Sequence, residues 1–380
     1  MPTAPAPVVA PTADSVVPAA PTPAPAPRPA HAPLKLRLGE TTRYHRYVGT
    51  LGARPVVVEF YTGREYPEQN SPKISGHWHD ARSGEVQDFL DSDFYPRQRL
   101  HLRSASETDS AAHWQMRQPL GPLLTGTVTV AGQPRRRFVL RENYAGAAAL
   151  AIRTAAVYGQ PIQLEVDERG EPVMFTGRYA RQYVQLLGSA ARRPALQHLF
   201  PSRPAQVRAW LRRGYEAGEG PIATIDKSLQ VQLNDYGILS YSEYTSDYEG
   251  GSAHPSSSST TFSYDMHTGR PITMASLFKP GSLGALDQLV LQHLEPQDTK
   301  LFFKYYDAQG TGTKAWHYIN WEEPVWLTIE GLASDYALGF GADYQGTTRV
   351  IIPYAELRPL LRPRTPLNRV LVARGLAPVL

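Results

Sequence analysis

The chain has 380 residues, no cysteine and a formal net charge of +4 at pH 7. The lack of cysteine excludes disulfides, thiolate zinc sites and cysteine nucleophiles. Hydrophobic residues make up 42% of the chain and charged residues 19%, which is typical of globular domains. The basic clusters are short and carry no nucleic-acid-binding motif, so we expect no nucleic-acid partner.

Residues 1–33 contain 11 Pro and 10 Ala, a composition that cannot form a packed core. We predict a disordered, extended tether that holds the following domains away from a membrane or wall. The sequence as given has neither a signal peptide nor an apolar run long enough to span a membrane. We expect a removed signal or lipid anchor, and hence a periplasmic or cell-surface, lipoprotein-like location.

Residues 34–145 are predicted to form an antiparallel all-β domain, either a small barrel or a sandwich. Short alternating runs such as Val56–Tyr61, Leu123–Val130 and Arg137–Glu142 are separated by glycine-containing turns. Regularly spaced short strands of this kind favour such a closed or two-layered architecture.

His77 and His79 lie on one face if the segment around them is a strand. Two histidines at this spacing can share a metal ion, but spacing alone assigns no third ligand. The alternative to a metal site is that both histidines lie on a half-exposed strand face. From the sequence we expect no metal site and no cofactor.

Residues 146–180 are predicted to be bridging strands that close the first domain or lead into the second. Residues 181–362 show strands together with two helical stretches, 204–217 and 283–294, and residues 363–380 form a basic tail. The sequence therefore predicts an α+β fold class, with the β domain followed by helices packed on an antiparallel sheet.

The stretch Gln230–Phe278 resembles the core of a bacterial extracytoplasmic domain-of-unknown-function family. The likeness rests on the loop Gly250–Pro255, on Tyr264-Asp265 and on Thr268-Gly269-Arg270, and it extends through Trp326–Leu332 and Val350–Leu357. Here Ser252 is an extra loop residue and Arg270 replaces the lysine of the family. The resemblance covers about residues 180–362. It implies the setting of that family, which occurs as the outer domain of a lysozyme-sensing anti-sigma factor and beside peptidoglycan deacetylase domains.

No catalytic residue is assigned from the sequence. The serine run Ser256–Ser259 lacks a nucleophile elbow, and the stretch 310–314 lacks the spacing of a phosphate-binding loop. A histidine on a glycine-rich loop and neighbouring aromatic residues are typical of binding surfaces. The candidate binding residues are therefore His254, Tyr244, Tyr248, Trp316 and Trp321.

The sequence thus predicts a non-catalytic binding protein, secreted or tethered to the envelope, that recognises a cell-wall glycan or a lysozyme-like protein. The alternative is an accessory or catalytic protein of cell-wall polysaccharide hydrolysis or deacetylation. The sequence gives no indication of the oligomeric state.

Overall fold

The structure is a computed structural model in which the residues from 35 onward belong to one compact unit. It describes residues 35–63, 73–93, 101–103, 112–116, 120–130, 132–166, 168–217, 223–249, 254–295, 298, 324–337 and 347–380. The tether expected over residues 1–33 lies outside the described residues.

Strands dominate the chain. The first eight strands are β1 (Lys35–Leu51), β2 (Arg54–Gly63), β3 (Lys73–Asp80), β4 (Val86–Asp93), β5 (His101–Arg103), β6 (His113–Met116), β7 (Leu123–Thr129) and β8 (Arg136–Glu142). The remaining strands are β9 (Leu150–Val166), β10 (Pro172–Leu186), β11 (Ala223–Asp235), β12 (Ile238–Glu249), β13 (Ser256–Asp265), β14 (Arg270–Pro271), β15 (Trp326–Leu327), β16 (Gly331–Ala337) and β17 (Thr347–Pro353).

Helices are short and sit at the margins of the sheets. They are α1 (Pro194–Gln197), α2 (Pro204–Ala217), α3 (Met274–Leu277), α4 (Leu283–His293), α5 (Tyr354–Leu357) and α6 (Leu367–Ala373), with 3₁₀ turns at Ala190–Arg192 and Arg358–Leu360. Among the described residues, no helix has the length and apolar character needed to cross a membrane.

Fourteen of the described strands belong to a single mixed sheet, so the predicted fold class is wrong. The order is β14-β13-β12-β11-β10-β9-β1-β8-β7-β6-β5, with β2, β3 and β4 branching from β1. The pairing of β10 with β11 is parallel, and β15, β16 and β17 form a separate small sheet. The described strands do not close into a barrel, and the helices do not form a layer on an antiparallel sheet.

The expected architecture fails because the two bridging strands are longer than their sequence indicates. β9 has 17 residues and β10 has 15, and they pair along almost their whole length. β9 also pairs with β1, which joins the N-terminal strands to the C-terminal ones in one sheet. Because alanine has a low strand propensity, the alanines of β9 keep a propensity argument from predicting the full length of this strand.

Two of the hydrophobic cores each contain residues from one half of the chain, and a third contains residues from both halves. One core contains only residues from the N-terminal strands, including Trp78 and Trp114. A second contains residues from Leu233 to Leu371, so α6 packs into it although a basic tail was expected there. The third joins Tyr44 of β1 to Leu150 of β9 and to residues of β11 and β12. Because this core is shared, β1 is held against both halves of the sheet.

Candidate functional site

A carboxylate and two imidazoles converge on the adjacent strands β2 and β3. Glu59 lies directly opposite His77 in the antiparallel register, and His79 lies two residues further along the same strand. Alternation along a strand puts these three side chains on one face of the sheet. One ligand atom from each residue lies within 4.8 Å of the others. Glu59 is therefore the candidate for the third ligand that sequence spacing could not assign.

Burial and hydrogen bonding differ sharply between the two histidines. The His77 Nε2 atom lies 2.9 Å from the Glu59 Oε2 atom, and the His77 side chain is 18% exposed. His79 is 0% exposed, whereas the sequence had allowed a half-exposed strand face here. Both of its ring nitrogens lack a hydrogen-bond partner. Buried polar atoms are nearly always paired, so two unpartnered nitrogens on one ring require an explanation.

The environment sets the protonation of these groups. Burial lowers the pKa of His79 to about 3, which keeps its ring neutral. Burial alone would raise the pKa of the Glu59 carboxyl, but the hydrogen bond to His77 and the charges of the imidazoles and of Arg46 lower it to about 2. A deprotonated carboxylate and a neutral imidazole are the forms that bind metal ions.

A second layer of polar groups holds Glu59 in place. The Tyr44 hydroxyl donates a short hydrogen bond to Glu59 Oε1, and Arg46 Nε lies 3.6 Å from the same oxygen. Arg46 also forms an ion pair with Asp235 and donates to the carbonyl oxygen of Asn143 over 2.8 Å. The cluster thus lies where β1, β2 and β3 meet the turn between β11 and β12.

A second candidate region is the hairpin arm, which we define as residues 159–177 at the far end of β9 and β10. β9 pairs with β1 only as far as Tyr158, and β10 pairs with β11 only from Arg178 onward. Between these points the described part of each strand has only its hairpin partner as a neighbouring strand. Most described side chains of the arm are exposed, among them four large apolar ones at 36–55%: Leu164, Val166, Val173 and Met174.

Several sequence-predicted binding residues lie at the same end of the sheet as this arm. Tyr248 is opposite Thr224, which is itself opposite Arg178 at the base of the arm. With strands about 4.8 Å apart, the backbone of Tyr248 is about 10 Å from the base of the arm. His254 is exposed at the start of the return strand, and Tyr244 is 49% exposed on the same strand as Tyr248.

The remaining predicted binding residues, Trp316 and Trp321, lie outside the described residues. The binding roles of His254, Tyr244 and Tyr248 stay predictions. The sequence analysis missed Glu59 as a site residue and the arm as a binding surface, for different reasons. The pairing of Glu59 with His77 depends on the register of two strands, whereas the arm had a readable signal in the turn around Gly170 between two β-rich runs.

A pocket of about 420 Å³ lies between β13 and the small sheet. Its floor is apolar and includes Val290 and Trp326, and its rim carries Thr261 and Asp335. Arg349 stacks over the Trp326 ring at 4.2 Å and donates to Asp335 over 2.9 Å. The acidic rim residue is thus already neutralised by an arginine of the same sheet.

No family model and no curated protein matches the chain. Among solved structures, a DUF3298 family member from Bacteroides fragilis is 18% identical with a TM-score of 0.36, covering 57% of this chain and 95% of its own. A DUF3298 family protein from Pseudomonas aeruginosa is 14% identical with a TM-score of 0.33, covering 58% of this chain and 96% of its own. The structural neighbours thus come from a domain-of-unknown-function family. At these scores the likeness bears on neither site, and the anti-sigma-factor and deacetylase settings stay predictions.

Proposed function

We propose that the protein is a non-catalytic binding protein outside the cytoplasm that recognises a basic protein of the lysozyme type at the end of its sheet. The hairpin arm is the observation that carries this proposal. Four large apolar side chains are exposed on it, Leu164 and Val166 on one face and Val173 and Met174 on the other. Apolar residues exposed on both faces of a projecting hairpin favour a binding role.

The chemistry of the arm favours a protein over a cell-wall glycan. Its exposed apolar residues are aliphatic, which suits packing against protein side chains better than stacking on sugar rings. Within the described residues, the outer edges of both arm strands pair with no further strand, so a partner strand can add there by main-chain hydrogen bonds.

The negative charge of the arm favours a basic partner. Residues 162–175 contain four acidic side chains and one arginine. Acidic side chains near the turn of the arm, beside its exposed apolar residues, would attract a basic protein and accelerate its association at low salt. Tyr248 and His254 at the same end of the sheet extend the surface beyond the arm.

An extracytoplasmic location is part of the same proposal. The Pro/Ala-rich stretch of residues 1–33 is long enough to hold the folded unit away from a membrane or wall, and a surface protein needs such a spacer to reach a partner. The alternative of a cell-wall hydrolase or deacetylase accessory has weaker support. Glu59 and His79 are 2% and 0% exposed, so a polysaccharide has no access to the His–carboxylate cluster found in the described part of the chain.

Calorimetric titration with a c-type lysozyme tests the proposal. The double variant Leu164→Ser/Val166→Ser removes the two exposed apolar side chains on one face of the arm and should weaken binding at least tenfold. The matched control Leu38→Ser/Val372→Ser removes two side chains that are 59% and 57% exposed elsewhere, and it should bind as the wild type does.

Binding to purified peptidoglycan sacculi is the second measurement. Wild-type binding to sacculi without binding to lysozyme would overturn the protein partner in favour of a glycan. Equal binding of lysozyme by the arm variant and the control would overturn the arm as the recognition element.

A further inference from the structure

Glu59, His77 and His79 have the composition of a transition-metal site rather than of a buried ion pair. Two imidazoles and one carboxylate are a common set of protein ligands for zinc and related divalent ions. An ion pair between Glu59 and His77 would explain two of the three side chains. It leaves His79 unexplained, because that ring has no partner for either nitrogen.

We propose that these three side chains bind one divalent transition-metal ion, Zn²⁺ being the ion that the donor set fits best. Ligand atoms about 2.0–2.2 Å from a tetrahedral zinc ion lie about 3.3–3.6 Å from one another. The His77 Nε2 and Glu59 Oε2 atoms are already 2.9 Å apart, and the whole set lies within 4.8 Å. The proposal requires the three side chains to rotate until the remaining distances shorten to this spacing.

The surrounding charges favour a dication. Four carboxylates act on the cluster, those of Glu59, Asp88, Asp235 and Glu330, whereas the guanidinium groups are those of Arg46 and Arg374. The carboxylates outnumber the guanidinium groups by two, although Asp88 and Glu330 are exposed. A divalent ion that binds to the neutral ring of His77 would offset this excess of negative charge.

The ligands are also held by neighbouring groups in the manner of known metal sites. The Tyr44 hydroxyl donates to the Glu59 carboxylate, and Arg46 approaches the same oxygen. Such outer contacts orient a ligating carboxylate before the ion arrives. Because Glu59 and His79 are closed to solvent, the site is structural, and it would fasten β2 to β3 beneath the C-terminal elements that carry Glu330 and Arg374.

Zinc uptake by the full chain tests this assignment. The protein is treated with a chelator, dialysed and titrated with Zn²⁺, and the bound metal is counted by mass spectrometry. We expect one ion per chain, a melting temperature that rises with the free zinc concentration, and the visible absorption of tetrahedral Co²⁺ when cobalt replaces zinc. His79→Leu should lose the bound ion and the zinc-dependent rise.

A control separates this site from adventitious surface binding. His101 and His113 are exposed on the neighbouring strands β5 and β6, and the variant His101→Ala/His113→Ala should keep the bound ion. If His79→Leu does not fold, the partly exposed His77 supplies the variant His77→Phe, for which we expect the same loss. The proposal is overturned if the wild type binds no zinc. It is also overturned if the surface variant loses the ion while the His77 and His79 variants retain it.

Discussion

Arg46 on β1 and Asp235 at the end of β11 form an ion pair in which the side chains are only 5% and 8% exposed. The two residues are separated by 189 positions in the sequence. Their contact joins the first strand of the sheet to a turn of the C-terminal half, beside the shared core around Tyr44.

Breaking this pair from one side should destabilise the fold strongly. Arg46→Met leaves the Asp235 carboxylate buried without its partner, and such a change costs about 3–5 kcal/mol. Urea denaturation measures the loss. In the double variant Arg46→Met/Asp235→Asn the unpaired charge of Asp235 is gone, so part of the stability should return, while the Glu59 carboxylate still lacks the nearby charge of Arg46. A single variant within about 1 kcal/mol of the wild type would contradict a structural role for the pair.

His77 and His79 should respond in opposite directions to the same substitution when no metal is present. His79→Leu removes two unpartnered nitrogens from a buried site and should stabilise the metal-free protein by about 1 kcal/mol or more, because each such group carries a desolvation cost. His77→Leu leaves the Glu59 Oε2 atom without its hydrogen bond, although Tyr44 still donates to Oε1, and should destabilise the metal-free protein by about 1.5–3 kcal/mol.

Chelator-treated samples compared by urea denaturation give both values. A loss of stability in His79→Leu, equal to that in His77→Leu, would show that the nitrogens of His79 are satisfied in the protein.

A side chain at Gly76 should separate the two strands that carry the cluster. A Cβ atom there would lie 2.1 Å from the carbonyl oxygen of Glu59 and 2.6 Å from the Cα atom of Phe60. Because backbone cannot yield as a flexible side chain does, Gly76→Ala should cost about 3 kcal/mol. The control Gly284→Ala, in α4 with nothing within 4 Å of its Cβ, should instead stabilise the protein by about 0.5–1 kcal/mol. Equal thermal midpoints for the two variants would contradict the close approach of β2 and β3.

These residues show how far the sequence alone could lead. The hairpin turn around Gly170, the strand containing His77 and His79, and the helix from Pro204 were all readable, because turn residues and short-range periodicity report on local structure. The pairings of Glu59 with His77 and of Arg46 with Asp235 were not readable, since each depends on strand register or on contacts between distant segments.

The fold class failed for a related reason. A fold is set by which strands are neighbours, and β9 places both β1 and β10 beside itself. Its run of small residues, Ala155-Ala156 among them, is buried under neighbouring elements rather than marked by β-branched side chains. The sequence therefore indicated an antiparallel β domain followed by helices on a sheet, whereas fourteen of the described strands form one mixed sheet.

The tip of the β12–β13 hairpin should contribute to partner binding without supporting the fold. His254 is exposed and Tyr248 is half-buried near the end of its strand, so Tyr248→Ala/His254→Ala should change the free energy of unfolding by only about 0.5 kcal/mol. Lysozyme binding should weaken, because the two side chains border the base of the arm. Titration calorimetry and urea denaturation on the same samples separate the two effects. Unfolding of the variant would assign the loop to packing, whereas unchanged binding would remove it from the recognition surface.

Hydrogen exchange, measured with and without a c-type lysozyme, tests the proposed function most directly. Among the described residues, the outward-pointing amides of the arm have no strand partner beyond Tyr158 and before Arg178, so we expect them to exchange quickly in the free protein. If the arm is the recognition element, amides within 159–166 and 172–177 will slow when lysozyme is added, and higher salt will reverse the effect. Unchanged exchange across the arm, at lysozyme concentrations that saturate binding, would contradict the account.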